Sequence, residues 1–327
     1  MHDGLVMQGS ADRNPLGDPH VTPPMSTVAP GDETNTLMVS DLPRPIPRRC
    51  TRNRACLALA IATGLVVLAV WLWKATSPDP LPPPCTSSCV GFDHSLWDGV
   101  LQTHVVPGSS AAGITYSGLR YEGVRTDARF RAYLALLESV DLARLTTPAR
   151  KALMINAYNA LAVRLLLDEC DPLCASIKDI GSLLSPVWKL PAGQIGGSTD
   201  DSLFSLDDIE HGYLRPTFSF DPRLHSAVNC ASISCPDLAA AAFADATVEE
   251  QLTNRSVAWL SNPTKGLALS GGILTLSKIF DWYSGDFAAG GGAVGFARAH
   301  GPPSVVSALD GPALAYFDYN WGINNVS

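Results

Sequence analysis

Residues 55–73, ACLALAIATGLVVLAVWLW, run for nineteen positions with no charge and one hydroxyl, Thr63. A run of this kind must be buried in a core or passed through lipid. As a helix rising about 1.5 Å per residue it spans roughly 28 Å, close to the hydrocarbon thickness of a bilayer. Trp71 and Trp73 close it and suit an interfacial aromatic belt. A soluble core helix of this length keeps a polar side, and this one has none. The expectation is one transmembrane helix, in contact with membrane lipid through residues 55–73.

The flanks set its orientation. Arg44, Arg48, Arg49, Arg52 and Arg54 precede the run, and Lys74 is the last cation before Arg120. The positive-inside rule keeps the N-terminus cytoplasmic and sends the C-terminal body across. The stretch after Trp73 lacks a clean small-x-small cleavage site, so the run reads as an uncleaved signal anchor. The expectation is a single-pass, type II membrane protein with an extracytoplasmic C-terminal domain.

Four regions follow. Residues 1–54 are rich in Pro, Gly, Asp, Ser and Thr, bury too little apolar surface to offset chain entropy, and read as a disordered cytoplasmic tail. Residues 55–73 are the membrane helix. Residues 74–90 carry five prolines and form a semi-rigid stalk. Residues 91–327 are dense in apolar side chains and fit one domain. The net charge of −8 and the lack of a basic stripe in the body exclude nucleic acid as the expected partner.

Of eight cysteines, Cys50 and Cys56 sit at or inside the membrane boundary. The rest form close pairs, Cys85/Cys89, Cys170/Cys174 and Cys230/Cys235. On a translocated domain these read as disulfide-permissive, with the pairing open. Asn254-Arg255-Ser256 and Asn325-Val326-Ser327 match the glycosylation sequon.

Along the body, 127–140 has a helical stripe. A long helix starts with Thr147 as cap and Pro148 as first residue, and ends near Glu169. Its apolar stripe holds Met154, Tyr158, Leu161 and Leu165. Asn156 and Asn159 share one face, and each needs partners if buried. Ser205 caps a short helix carrying Glu210 and His211 near its end. Residues 223–230 alternate as a strand, with His225 and Asn229 on one face. Thr247 and Glu250 form a capping box. Residues 267–276 read as a hairpin, 278–283 as a helical turn, 288–295 as a flexible loop and 303–316 as helix. Elements mixed without regular βαβ alternation indicate α+β.

Six segments, in order, carry a family resemblance: 92–97 (FDHSLW), 155–161 (INAYNAL), 205–216 (SLDDIEHGYLRP), 221–236 (DPRLHSAVNCASISCP), 276–287 (LSKIFDWYSGDF) and 316–324 (YFDYNWGIN). Together they make the body resemble the domain of unknown function 547 family. The family name implies no settled biochemistry. Its element order is similar, distantly, to the papain/transglutaminase superfamily. On that analogy Asn156 takes the nucleophile's place, His225 follows on a strand and Asp281 comes later. An amide cannot attack, so such a site binds without turnover.

Three constellations compete. The first is a thiol site, with Cys230 as nucleophile and His225 or His211 as base. A regular strand opposes the His225 pairing, because residues five apart face opposite ways, and a Cys230–Cys235 bridge is the competing structural reading. The second is the degenerate triad above, against which Asn156 and Asn159 simply tie the helix to neighbouring backbone. The third is a zinc site from His211, His225, Cys230 and Cys235, whose spacing matches no short zinc signature. Glu210 and His211 near Arg215 read as an acid–base pair or, the favoured reading, a salt-linked turn beside the site, Lys278 and Asp281 as a helix-face pair, and His94, His104 and His300 as solvent-facing. There is no phosphate loop, serine elbow or EF-hand, and no cofactor is expected.

The residues therefore lean to a non-catalytic domain that binds a protein or small molecule, with candidate contacts Asn156, Asn159, Glu210, Arg215, Asn229, Ser232 and Asp281. A cysteine-dependent hydrolase or acyl-transfer enzyme using Cys230 with His225 or His211 is the alternative.

Overall fold

Burial of one long helix organises this domain. In the computed structural model, which describes residues 85–182, 185–197, 203–309 and 311–327, every residue of that helix from Ala149 to Leu167 except Arg164 is buried. The tail, the apolar run 55–73 and the stalk up to residue 84 lie outside the described residues. Among the described residues no helix is long and apolar enough to cross a membrane.

The chain enters through α1 (Ser95–His104), the hairpin β1 (Val105–Ala111) and β2 (Ile114–Leu119), and then α2 (Tyr121–Thr126) and α3 (Ala128–Ser139). Asp127 caps α3 by accepting the Arg129 N–H. The buried helix is α4 (Thr147–Glu169). Its cap is Thr146, one residue earlier than expected, because the Thr146 hydroxyl reaches the Ala149 N–H three residues on. A single apolar stripe was expected on α4. Instead Ala149, Ala152, Ala157, Ala160 and Ala162 let chain pack on all sides.

After α4 come the short pairing of β3 (Gly193–Gln194) with β4 (Leu203–Phe204), a π-helix at Asp208–Leu214, its continuation α5 (Arg215–Thr217), and a 3-10 helix at Pro222–Ser226. The expected strand over 223–230 is absent. Asp221 accepts the Arg223 N–H and Pro222 starts a turn, so helical geometry wins over period-two alternation. Then α6 (Val248–Leu260) follows Thr247, which makes no side-chain cap; its hydroxyl bonds Gln251 instead, and the expected capping box does not form.

The last sheet orders β5 (Leu267–Ser270), β6 (Ile273–Leu276) and β7 (Ala313–Tyr316), the first pair antiparallel and the second parallel. Gly271 and Gly272, with φ of +56° and +77°, make the expected hairpin turn, which needs two residues at positive φ. Between β6 and β7 lie α7 (Ile279–Trp282), α8 (Ser284–Phe287), α9 (Gly292–His300) and α10 (Pro303–Val306). Two expectations fail here. The loop at 288–295 is partly α9, because Phe296 packs into an aromatic cluster, 5.2 Å from Phe287 and 5.7 Å from Phe280, which outweighs the glycines. The helix expected over 303–316 stops at Val306, and β7 then adds to the sheet edge.

The mixture of helices and small sheets makes the domain α+β. Cys85 bridges Cys89 and Cys170 bridges Cys174. The histidines expected at the surface are tied in: His94 is buried and bonded to the Tyr133 hydroxyl, His104 pairs with Asp127, and His300 is half-buried against Phe296.

Candidate functional site

Four pieces of chain converge beside α4, each shaped by its own local sequence. The first is the π-helix. Ser205 opens it reciprocally: its hydroxyl accepts the Asp208 N–H at 3.1 Å and the Asp208 carboxylate accepts the Ser205 N–H at 2.9 Å. Further on, the Arg215 N–H reaches the Glu210 carbonyl, five residues back. Such winding stacks residues five apart, so Glu210 and Arg215 share a face that an α-helix would not give them.

The second and third pieces meet at Asp286 on α8. Its carboxylate accepts two bonds from Arg215, at 2.7 and 2.8 Å, and lies 2.8 Å from His225 Nε2. Burial alone would raise this carboxyl, but the bonds from His225 and Arg215 hold it down at about 2. The contact with an acceptor-only carboxylate places a proton on His225 Nε2. His225 Nδ1 faces Glu210 at 3.7 Å, beyond hydrogen-bond range. The His225 ring packs 4.2 Å from Tyr283, and the Arg215 guanidinium lies 4.9 Å from the same ring. His211 contacts Arg215 and stacks near Tyr283.

The fourth piece is the loop from Asn229 to Pro236. Asn229 staples its two ends: the side-chain amide donates to the Pro236 carbonyl at 2.8 Å, and its oxygen accepts the Ala231 N–H at 2.8 Å. Ala231 is held at a φ of +65°, a left-handed conformation that costs a residue with a Cβ. Lys265 clamps the far side by donating to the carbonyls of Ile233 and Cys235 and to Asp237. The C-terminal segment runs alongside, with the Ile233 N–H on the Gly322 carbonyl and the Asn324 N–H on the Ala231 carbonyl.

This clamping brings Cys230 and Cys235 together as free, buried thiols, not the bridge weighed from the sequence. The Ser232 hydroxyl lies 3.1 Å from each sulfur. Cys235 Sγ also accepts the Tyr319 hydroxyl at 3.2 Å and the Cys230 N–H at 3.3 Å. The bond to Cys235, together with burial, pushes the Cys230 thiol well above the ordinary range. Burial acts the same way on Cys235, but the donors Cys230, Ser232 and Tyr319 outweigh it and pull that thiol below the ordinary value.

Glu210, His225, Cys230 and Cys235 line one cleft of about 30 Å³, walled by Tyr158, Trp282, Tyr283, Tyr319 and Trp321. A space of this size admits about one small group or water. The indole N–H groups of Trp282 and Trp321 are buried with no partner among the described residues.

The residues singled out from the sequence divide as follows. Cys230, His225 and Glu210 line the cleft, and Ser232 bridges its thiols. Arg215 orients Asp286, while His211 lies beside Arg215. Asn229 shapes the loop. Asn156 and Asn159 spend their amides on backbone: Asn156 bonds both N–H and carbonyl of Phe243, and Asn159 bonds the Ala227 carbonyl and the Asn229 N–H. Asp281 pairs with Lys278 at 3.2 Å and its side chain is 46% exposed. The acid that reaches His225 is Asp286, five residues later. Sequence reasoning also missed Tyr319, Trp282 and Trp321, although all lie within the motif segments around 276–287 and 316–324. Among the described residues no three His, Cys, Asp or Glu side chains are arranged to hold a metal ion.

No curated protein and no solved structure matches the chain. The family model described as Protein of unknown function, DUF547, does match residues 142–260, which run from the approach to α4 to the end of α6, and that segment of the chain is similar to this family.

Proposed function

We propose that this protein is a membrane-tethered binding domain whose cleft receives one small ammonium-bearing group without turning it over. One observation carries the non-catalytic reading: His225 Nε2 bonds Asp286, Nδ1 lies 3.7 Å from Glu210, and among the described residues neither nitrogen hydrogen-bonds a thiol. A thiol hydrolase or acyl transferase needs its base beside its nucleophile, and His211 does not line the cleft.

The ligand class follows from the lining. Glu210 presents a buried carboxylate to the cleft, 3.7 Å from His225 Nδ1, while Asp286 is taken up by bonds from Arg215 and His225. Aromatic faces wall the rest, with Trp282 and Tyr319 4.9 Å apart and Tyr319 and Trp321 4.4 Å apart. A carboxylate with aromatic walls favours a cation, and the cleft has room for the tip of a chain. The apolar run 55–73 with its arginine flank supports a membrane anchor, and two disulfides support an extracytoplasmic body.

Thermal unfolding of the full-length protein with added n-butylammonium chloride tests the binding. Stabilisation beyond an equal concentration of sodium chloride, lost in Glu210→Gln, is expected. No gain over the salt control, or an equal gain in Glu210→Gln, overturns the reading. Protease added outside intact cells should degrade the C-terminal domain and spare the N-terminal tail; the opposite pattern removes the anchor orientation.

A further inference from the structure

We propose that Cys230 and Cys235 form a thiol–disulfide exchange site opening on the cleft, with Cys235 as the attacking sulfur and Cys230 as the resolving one. The inference does not depend on the ammonium reading.

Its basis is geometric. Both sulfurs lie 3.1 Å from the one Ser232 hydroxyl, so they cannot be far apart, and both residues line the cleft. Their surroundings are unequal. Cys235 Sγ receives Tyr319 and the Cys230 N–H in addition to Ser232, an arrangement that stabilises negative charge on that sulfur. The loop holding them is stapled by Asn229 and Lys265 and carries the strained Ala231. A structural pair of buried thiols needs neither the donors nor the strain.

The substrate class is a low-molecular-weight disulfide, with glutathione disulfide as the probe, because about 30 Å³ admits little more than one substrate sulfur. The Cys235 thiolate attacks one substrate sulfur; the new protein–substrate S–S bond forms as the substrate bond breaks, and one thiolate leaves. Cys230 then gives up its proton and attacks Cys235 Sγ, expelling the second substrate thiolate. Two protein thiols and one disulfide become one protein disulfide and two substrate thiols. The protein loses two electrons and the substrate gains them, and the two thiol protons end on the products. The reverse sequence reduces the protein.

The test equilibrates the full-length protein in buffers of varied reduced-to-oxidised glutathione ratio, quenches with acid, alkylates, and maps cysteines by peptide mass spectrometry. The expected result is that Cys230–Cys235 interconverts between dithiol and disulfide across the series, while Cys85–Cys89 and Cys170–Cys174 stay bridged. Cys230→Ser should accumulate a glutathione adduct on Cys235, and Cys235→Ser should form its adduct at least tenfold more slowly. A wild-type pair fixed in one state across every buffer overturns the proposal, and that arm needs no variant to fold. Interconversion with equal adduct rates in two folded variants overturns the assigned order of attack.

Discussion

Cys170/Cys174 and Cys230/Cys235 look alike in sequence, with separations of four and five residues, yet they end in opposite states. The first closes the end of α4, where Cys170 is the cap residue and its carbonyl accepts Arg125. Among the described residues no hydrogen bond reaches either of its sulfurs, and the pair is bridged. The second is surrounded by hydroxyls and N–H groups aimed at sulfur and faces a cleft. Spacing made both pairs candidates for a staple; the neighbours decide which pair is structural and which is held for chemistry. The same contrast separates Asp281, paired with Lys278 at the surface, from Asp286, buried between Arg215 and His225.

If the scaffold behind the cleft is what distinguishes the two pairs, breaking it should cost more than opening the peripheral bridge. Arg215→Met leaves Asp286 without its guanidinium and should destabilise the protein by about 3–5 kcal/mol in urea unfolding. A loss under about 1 kcal/mol would mean that the network is not needed. Acid should act at the same point. The Asp286 carboxyl is depressed from 3.8 to about 2, so its contribution is complete above the ordinary value and is lost as pH falls from about 4 to about 2. The expected loss is on the order of 2 kcal/mol, and an Asp286→Asn variant should not show that step.

Opening the peripheral bridge is the matched control. The double change Cys170→Ser, Cys174→Ser removes a short loop closure and should cost about 2 kcal/mol without altering the reactivity of Cys230 or Cys235. Altered alkylation at the cleft would show that the two regions are coupled. The smallest effect belongs to Tyr319→Phe. It removes one donor to Cys235, should cost about 1 kcal/mol, and should move the onset of Cys235 alkylation to higher pH. An unchanged onset would show that the Tyr319 hydroxyl does not stabilise the thiolate.

Much of this architecture was legible in the sequence because local rules dominate there. The α4 pattern, the Gly271-Gly272 turn, the Ser205 cap and the need of Asn156 and Asn159 for partners all follow from neighbouring residues. What stayed hidden depends on long-range contact. Alternation at 223–230 suggested a strand, whereas Asp221 and Pro222 set a 3-10 turn that aims His225 at Asp286. The π winding at 208–214 has no simple periodic signature, yet it brings Glu210 and Arg215 to one face. Tyr319 reaches Cys235 across 84 residues of chain, a distance that no spacing rule spans. Asp281 was more conspicuous than Asp286 because it pairs with Lys278 on its own turn.

The measurement that bears most directly on the contrast between the cysteine pairs is alkylation of the folded full-length protein across a pH series, read separately for each cysteine by peptide mass spectrometry. The account predicts that Cys235 becomes reactive below the ordinary thiol range, that Cys230 follows only in alkali, and that Cys85, Cys89, Cys170 and Cys174 stay unlabelled throughout. Labelling of Cys230 before Cys235, or of the bridged cysteines before either, would contradict it.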